Sequence, residues 1–200
     1  MLTKYTTSAY TLTKSGSYYT FAYTKSKTCA SSSSWMLSNR KNSVQWCLKL
    51  IQQSVNGYDG AVALCKSNGG TLSGIQTAFE YQLLRNKAWT IFPTGKQSLI
   101  LTDGFLKKDC LMPFMTKTFT SPCQKSNGEG WTWSDKYISD ISNYKWITLN
   151  PTSGINGNNL ISCIAYQSQK SSTSFDGYFQ STFCNTGINF AGVLCGKLAT

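Results

Sequence analysis

The chain has no histidine, and only eight acidic residues stand against 19 lysines and arginines. Without histidine, Ser–His and Cys–His nucleophilic systems are excluded. The remaining hydrolytic option is a glycosidase-like carboxylate pair, with Asp135 and Asp140, or Asp103 and Asp109, close in sequence. Asp103-Gly104 reads as a turn, however, and Asp135 follows a strand as a turn residue does. No catalytic residue is therefore assigned, and the expectation is a protein that is not an enzyme. Zinc is poorly served as well, because no Cys-x-x-Cys pair accompanies the missing histidines; no metal site and no cofactor are expected. No window approaches ~18 uninterrupted apolar residues, which excludes a spanning helix. Met1 is followed by Lys4 and polar residues where a signal peptide would place an apolar run.

What is present begins with eight cysteines: Cys29, Cys47, Cys65, Cys110, Cys123, Cys163, Cys184 and Cys195. An even, widely spaced set reads as disulfides, and disulfides place the chain in an oxidising compartment, secreted or extracellular. The missing signal is reconciled with this if the chain is a mature form. No Asn-x-Ser/Thr with an allowed middle residue occurs, so glycosylation adds no support. Two hundred residues suit one domain with some extra chain, enough to bury about 70% of the unfolded surface.

Charge is distributed unevenly. The formal net charge is +11, and no acid precedes Asp59, whereas Lys4, Lys14, Lys25, Lys27, Arg40, Lys41 and Lys49 all do. A basic surface favours anionic partners such as sulfated or sialylated glycans, acidic proteins or lipid headgroups; the alternative is a solvated face that aids solubility. Nucleic acid is not an expected partner, because the cysteines point to a compartment where it is scarce.

Along the chain, residues 1–28 form a Thr/Ser/Tyr/Lys tract without cysteine. Tyr10–Lys14 and Tyr19–Tyr23 alternate at strand period around Ser15-Gly16-Ser17, which predicts a β-hairpin. Ser31 to Ser34 read as a loop. Tyr58 to Lys66 predicts a helix with Val62 and Cys65 on one face, stopped by Asn68-Gly69-Gly70. Thr77-Ala78-Phe79-Glu80 has the spacing of a capping box and opens a second helix through Tyr81–Lys87. Short strands are predicted at Ser98–Thr102, Trp131–Trp133, Ser162–Tyr166 and Ala191–Cys195. Asn150 to Asn159 is a long Gly/Asn-rich loop, a length often tied to function.

These elements together resemble a C-type lectin-like domain. Ala63-Leu64-Cys65-Lys66-Ser67-Asn68-Gly69-Gly70-Thr71-Leu72-Ser73-Gly74-Ile75, with Glu80 downstream, is similar to the family's helix cysteine, small-residue turn and second-helix acid. Cys184 and Gly192-Val193-Leu194-Cys195 resemble its closing strand, and Trp131-Thr132-Trp133-Ser134-Asp135 its aromatic strand. Leu101-Thr102-Asp103-Gly104 stands where the family has Trp-Ile-Gly, with the tryptophan replaced. Trp46-Cys47, Tyr58-Asp59-Gly60-Ala61 and Leu72-Ser73-Gly74-Ile75-Gln76 resemble the large nematode branch. The resemblance covers about residues 29–195. It implies an α+β C-type lectin-like fold, with two helices flanking small antiparallel sheets, a long loop region and four disulfides. Residues 1–28 would be a separate N-terminal segment and 29–200 the domain. Eight cysteines alone allow about 105 connectivities; the resemblance implies Cys29–Cys47, Cys65–Cys195, Cys110–Cys123 and Cys163–Cys184.

Sugar-binding members hold calcium with Glu-Pro-Asn and Trp-Asn-Asp motifs. At the matching positions this chain has Asn150-Pro151-Thr152, Phe179-Gln180-Ser181 and, before Cys163, Ile161-Ser162. No acid occurs between Asp140 and Asp176, whereas calcium needs six to eight oxygen ligands that include carboxylates. The expectation is a calcium-independent site. Lys145, Asn150, Thr152, Asn156, Asn158 and Asn159 are its candidate ligand-binding residues; the asparagines also suit plain turns. Trp146 is expected to anchor the loop base, and Trp131 and Trp133 to pack in the core. The expected partner is a glycan or protein ligand. The alternatives are homo-oligomeric assembly through residues 1–28 and electrostatic adhesion to an anionic surface.

Overall fold

The structure, a computed structural model, describes residues 9–15, 18–24, 27–29, 34–110, 123, 128–147, 154–156, 159–172, 176–184 and 187–200, with backbone alone at 9–15, 18–24, 154–156 and 159–162. The chain runs β1 (Ala9–Ser15), β2 (Tyr18–Thr24), β3 (Met36–Asn39), β4 (Gln45–Ile51), β5 (Val55–Asn56) and α1 (Gly57–Ser67). It continues through β6 (Thr71–Leu72), α2 (Ala78–Ile91), β7 (Ser98–Leu106), β8 (Trp131–Thr132) and β9 (Gly154–Asn156). It closes with β10 (Asn159–Ser168), β11 (Tyr178–Phe183), β12 (Asn189–Phe190) and β13 (Gly192–Leu198).

β1 and β2 pair as a hairpin, Ala9 opposite Thr24 and Ser15 opposite Tyr18, in a two-stranded sheet of their own. The expected turn residues Gly16 and Ser17 lie outside the described residues, as do Ser31 to Ser33 of the expected loop. The other long strands join in one sheet of order β11-β10-β7-β13-β4-β3, extended by β6, β8 and β9. The β7–β13 pair is parallel and every other strand pairing is antiparallel. The C-terminal strand thus sits mid-sheet beside β4, and Thr28 and Thr200 exchange two backbone hydrogen bonds.

Local signals place the helices. Asp59 stands in the first turn of α1 and Lys66 in the last, both favourable to the helix dipole. Gly69, at φ +74°, ends the helix in the left-handed region that favours glycine. Gly57, Ala61 and Cys65 are the buried face of α1. Val62 is not on it: this side chain is exposed, because four-residue spacing from Cys65 selects Ala61. In α2 the Thr77 hydroxyl accepts from the Glu80 N–H at 3.1 Å, as the capping spacing predicts. The helix then runs to Ile91, just before Phe92 and Pro93.

Strand alternation divides the interior in two. Trp46, Leu48 and Leu50 of β4, Ile164 and Tyr166 of β10, and Leu194 of β13 face a first core containing Tyr81, Leu84 and Ala88 of α2. Cys47, Cys163, Ala165, Val193 and Cys195 face a second core that receives Ala61 and Cys65 of α1. The disulfides are Cys29–Cys47, Cys65–Cys195, Cys110–Cys123 and Cys163–Cys184.

Asp103-Gly104 does not form the expected turn. Both residues lie inside β7, where the pairing with β10 slips from Phe105↔Cys163 to Thr102↔Ile164 and opens a bulge. Gly104 has φ +125°, and a Cβ there would strike Ile164 and Trp133. The bulge lets Asp103 reach Asp135, which no local signal anticipates.

Candidate ligand-binding region

A buried ionic cluster links the segment after β3 to α2 and to the segment after β8. Arg40 donates from Nε to Glu80 (2.7 Å), from Nη1 to Asp135 Oδ2 (2.6 Å) and from Nη2 to the Gly74 carbonyl (2.9 Å). Ser73 donates to Asp135 (2.7 Å) and accepts from the Trp46 indole (3.1 Å), and the Asp135 N–H donates to Asp103 Oδ2 (2.7 Å). Burial alone would lower the Arg40 pKa, but Asp135 and Glu80 outweigh it and the net shift is upward. Arg40 is therefore not part of the basic surface in which the sequence placed it. Asp103 is pushed up to about 6 by burial, against the opposing hydrogen bond from Asp135, and its Oδ1 has no partner. The structure thus joins Asp103 to Asp135, instead of Asp135 to Asp140 or Asp103 to Asp109. Both joined carboxylates have zero exposure, so neither is presented to a substrate.

Asp135 holds the segment that leads into the long loop. Tyr144, Trp146, Phe179 and Trp131 form a contiguous ring cluster, with centroid separations of 4.2 Å for Tyr144–Phe179, 5.6 Å for Tyr144–Trp146 and 6.3 Å for Trp131–Trp146. The Tyr144 hydroxyl accepts from the Ile75 N–H (3.1 Å), and burial raises its pKa. Backbone bonds zip the segment to β11: the Phe179 N–H donates to the Lys145 carbonyl (2.7 Å) and the Ile147 N–H to the Phe179 carbonyl (2.9 Å). Trp146 anchors the loop base against the first core, and Trp131 and Trp133 pack there too.

Asn156 and Asn159 are brought together as directly paired positions of β9 and β10. Asn150, Thr152 and Asn158 lie outside the described residues. Lys145 is held elsewhere. Its neighbour Trp146 bridges Phe179, and Phe179 pairs with Tyr166. Asn159 lies seven residues back along β10, about 23 Å at the strand rise.

Around Lys145 the structure assembles residues that were not singled out from the sequence. The Lys145 ammonium lies 5.0 Å from the Tyr81 ring centroid, and the Arg85 guanidinium 4.3 Å from that of Trp89. Asp176 accepts from Arg85 Nε (3.2 Å) and Nη2 (3.1 Å), from the Trp89 indole (3.0 Å) and from the Gln169 N–H (2.9 Å). Gly177, at φ +85°, lets its carbonyl accept from the Tyr81 hydroxyl at 3.0 Å. The available signal was the four-residue spacing of Tyr81, Arg85 and Trp89, which puts them on one helix face. Farther along, Trp131, Trp133, Ile138, Ser139, Asp140 and Lys107 help line a cleft of about 310 Å³.

A calcium ion does not fit the donors present. Gln180 and Ser181 of β11 offer an amide and a hydroxyl, Phe179 is fully buried among the rings, and the nearby Asp176 is already engaged by four donors. Among the described residues, no group of three or more His, Cys, Asp or Glu could hold a metal ion. Six to eight oxygens with several carboxylates are not assembled among the described residues.

The sequence model of C-type lectin domain-containing protein 141/158 matches residues 36–198. Comparison with curated proteins gives no match. Among solved structures, the chain is similar to a calcium-independent type II antifreeze protein, at 15% identity and TM-score 0.50, covering 88% of this chain and 98% of that one. It is also similar to the cow C-type carbohydrate-recognition domain of CD23, solved in the presence of an oligosaccharide, at 16% identity and TM-score 0.52, covering 88% and 99%. At such identities the likeness concerns the fold alone.

Proposed function

Because the chain belongs to the C-type lectin domain-containing protein 141/158 family, we propose that it is an extracellular recognition module that binds a glycan or protein ligand without calcium. The supporting observation is the chemistry of the long-loop region. Its base is an aromatic stack, the paired positions Asn156 and Asn159 lie at one end of β10 and the exposed Lys145 toward the other, and Asp176 on the Lys145 side is already bound by Arg85 and Trp89. Amides, hydroxyls and an ammonium suit sugar hydroxyls or peptide groups through direct hydrogen bonds. Asn150, Thr152 and Asn158 complete the proposed ligand-binding set with Lys145, Asn156 and Asn159. The role is binding and not catalysis, in keeping with the missing histidines and the burial of Asp103 and Asp135. Four disulfides support secretion. Among the described residues no helix is long and apolar enough to cross a membrane.

A glycan array probed with and without chelator tests the reading. Retained binding in chelator, weakened by Asn156→Ala with Asn159→Ala, is the expected result; binding abolished by chelator overturns calcium independence. One observation favours a second role in self-association. Among the described residues, β1 and β2 form a two-stranded sheet with no strand from the domain joined to it, and such a hairpin is marginal alone in water. If it mediates assembly, deleting residues 1–28 lowers the oligomeric mass seen by light scattering; an unchanged mass removes this role.

A further inference from the structure

At the opposite end of the sheet from the long loop, two lysines converge on one indole. Lys49 of β4 pairs with Cys195 and Lys197 of β13 with Cys47, so their side chains leave the same face of the sheet. The Lys197 ammonium lies 4.6 Å and the Lys49 ammonium 5.8 Å from the centroid of Trp35, which puts the two charges within about 10 Å of each other. Neither lysine belongs to an ion pair among the described residues. Lys49 is further oriented by donating to Asn68 Oδ1 at 3.0 Å. Lys66, exposed, stands in the last turn of α1 just before Asn68. Exposed Lys27 adjoins Thr28, whose backbone is bonded to Thr200 close beyond Lys197.

Little negative charge is available to neutralise this group. Of the eight acids, Glu80, Asp103 and Asp135 are buried, while Asp140 pairs with Lys41 and Asp176 with Arg85. Asp59 stands at the far end of α1 from Lys66, and the remaining two acids, Asp109 and Glu129, lie just after β7 and just before β8. Among the described residues one cation, Arg40, and four acids, Glu80, Asp103, Asp135 and Asp176, are buried, so burial shifts the surface balance further toward positive charge.

Two oriented, unpaired ammonium groups this close repel each other. A ligand bearing closely spaced anions relieves that repulsion, and restraint of Lys49 and Lys197 before binding reduces the entropy lost on binding. A membrane is the poorer fit. Trp35 is only 9% exposed beneath the lysines, so the aromatic group of this patch is not free to insert among lipids. We propose that Lys49 and Lys197, with Lys66 beside them, bind a sulfated polysaccharide. This site is separate from the long loop and does not rest on the calcium-free reading of that region.

The test uses the full chain and heparin, measuring affinity by titration and the salt concentration needed for elution. Lys49→Gln with Lys197→Gln is expected to weaken heparin binding about tenfold, as loss of two partly exposed charge contacts predicts. A charge-matched control, Lys87→Gln with Lys96→Gln, is expected to change it less than twofold, about the most that screened surface charge away from the site contributes. Lys49→Arg with Lys197→Arg keeps charge and ring contact, and is expected to retain binding. The proposal is overturned by equal loss in the control pair, by full retention in the Gln pair, or by equal loss in the Arg pair. Binding to phosphatidylserine vesicles without binding to heparin overturns it as well.

Discussion

The two faces of the sheet are held by different means. On the α1 face, three of the four disulfides lie in or against the second core: Cys65–Cys195 joins helix to central strand, Cys163–Cys184 closes the base of the long loop, and Cys29–Cys47 ties the entering chain to β4. On the α2 face, the first core has only Cys110–Cys123, and the link between elements is the buried Arg40–Glu80–Asp135 cluster with Ser73, Trp46 and Asp103. A disulfide acts largely by restricting the unfolded chain and tolerates changes of pH and salt. A buried ion cluster acts in the folded state, fixes geometry through directional hydrogen bonds, and fails when one member is lost. The segment entering the long loop, Tyr144 to Trp146, packs on the ionic face, whereas the Cys163–Cys184 bridge lies on the other.

Breaking the staple should have the largest effect. Cys65→Ala with Cys195→Ala opens a loop of sequence separation 130 and should cost about 5 kcal/mol. Urea unfolding of the oxidised protein measures it, and the loss should hardly change between pH 5 and pH 8.

Arg40→Met should cost about 3–5 kcal/mol at neutral pH, because Glu80 and Asp135 are left as unpaired buried charges. Here the loss should shrink as pH falls and the stranded carboxylates take up protons. If Arg40→Met proves as insensitive to pH as the cysteine pair, the contrast between the faces fails.

The third effect is smaller and depends on pH. Asp103 has a folded pKa near 6 against an ordinary 3.8. Between those values the folded state holds more protons than the unfolded one, so this residue's contribution to stability falls as pH rises through the window. Asp103→Asn should match the wild type near pH 4 and exceed it at pH 8 by on the order of 2–3 kcal/mol. Thermal melts of both proteins across pH would show the difference; a variant weaker than wild type at pH 8 would mean the buried carboxylate is needed as an ion.

Much of the architecture was legible because its signals are local. The Thr77 cap and the Asn68-Gly69-Gly70 stop act within a turn of the helices they bound. The cysteine pairs in the structure are those the family resemblance implies. The candidate site was less legible. Lys145 and the asparagines lie close in sequence, yet β-sheet register sets Lys145 beside Tyr81 and Asn159 a strand's length away.

By itself, then, the sequence determined the local part of this protein: helix limits, strand periodicity, an even cysteine complement that reads as disulfides, and a residue inventory without the means for histidine chemistry. Tertiary structure alone decided which charges are interior. Arg40 meets partners 40 and 95 positions away, and the Asp103–Gly104 bulge exists only because β7 pairs with β10. Burial and electrostatic pairing are properties of surfaces brought together by folding, and so the basic tract before Asp59 yields a buried keystone at Arg40 and, at Lys49, a half-buried cation that only the β4–β13 pairing sets beside Lys197.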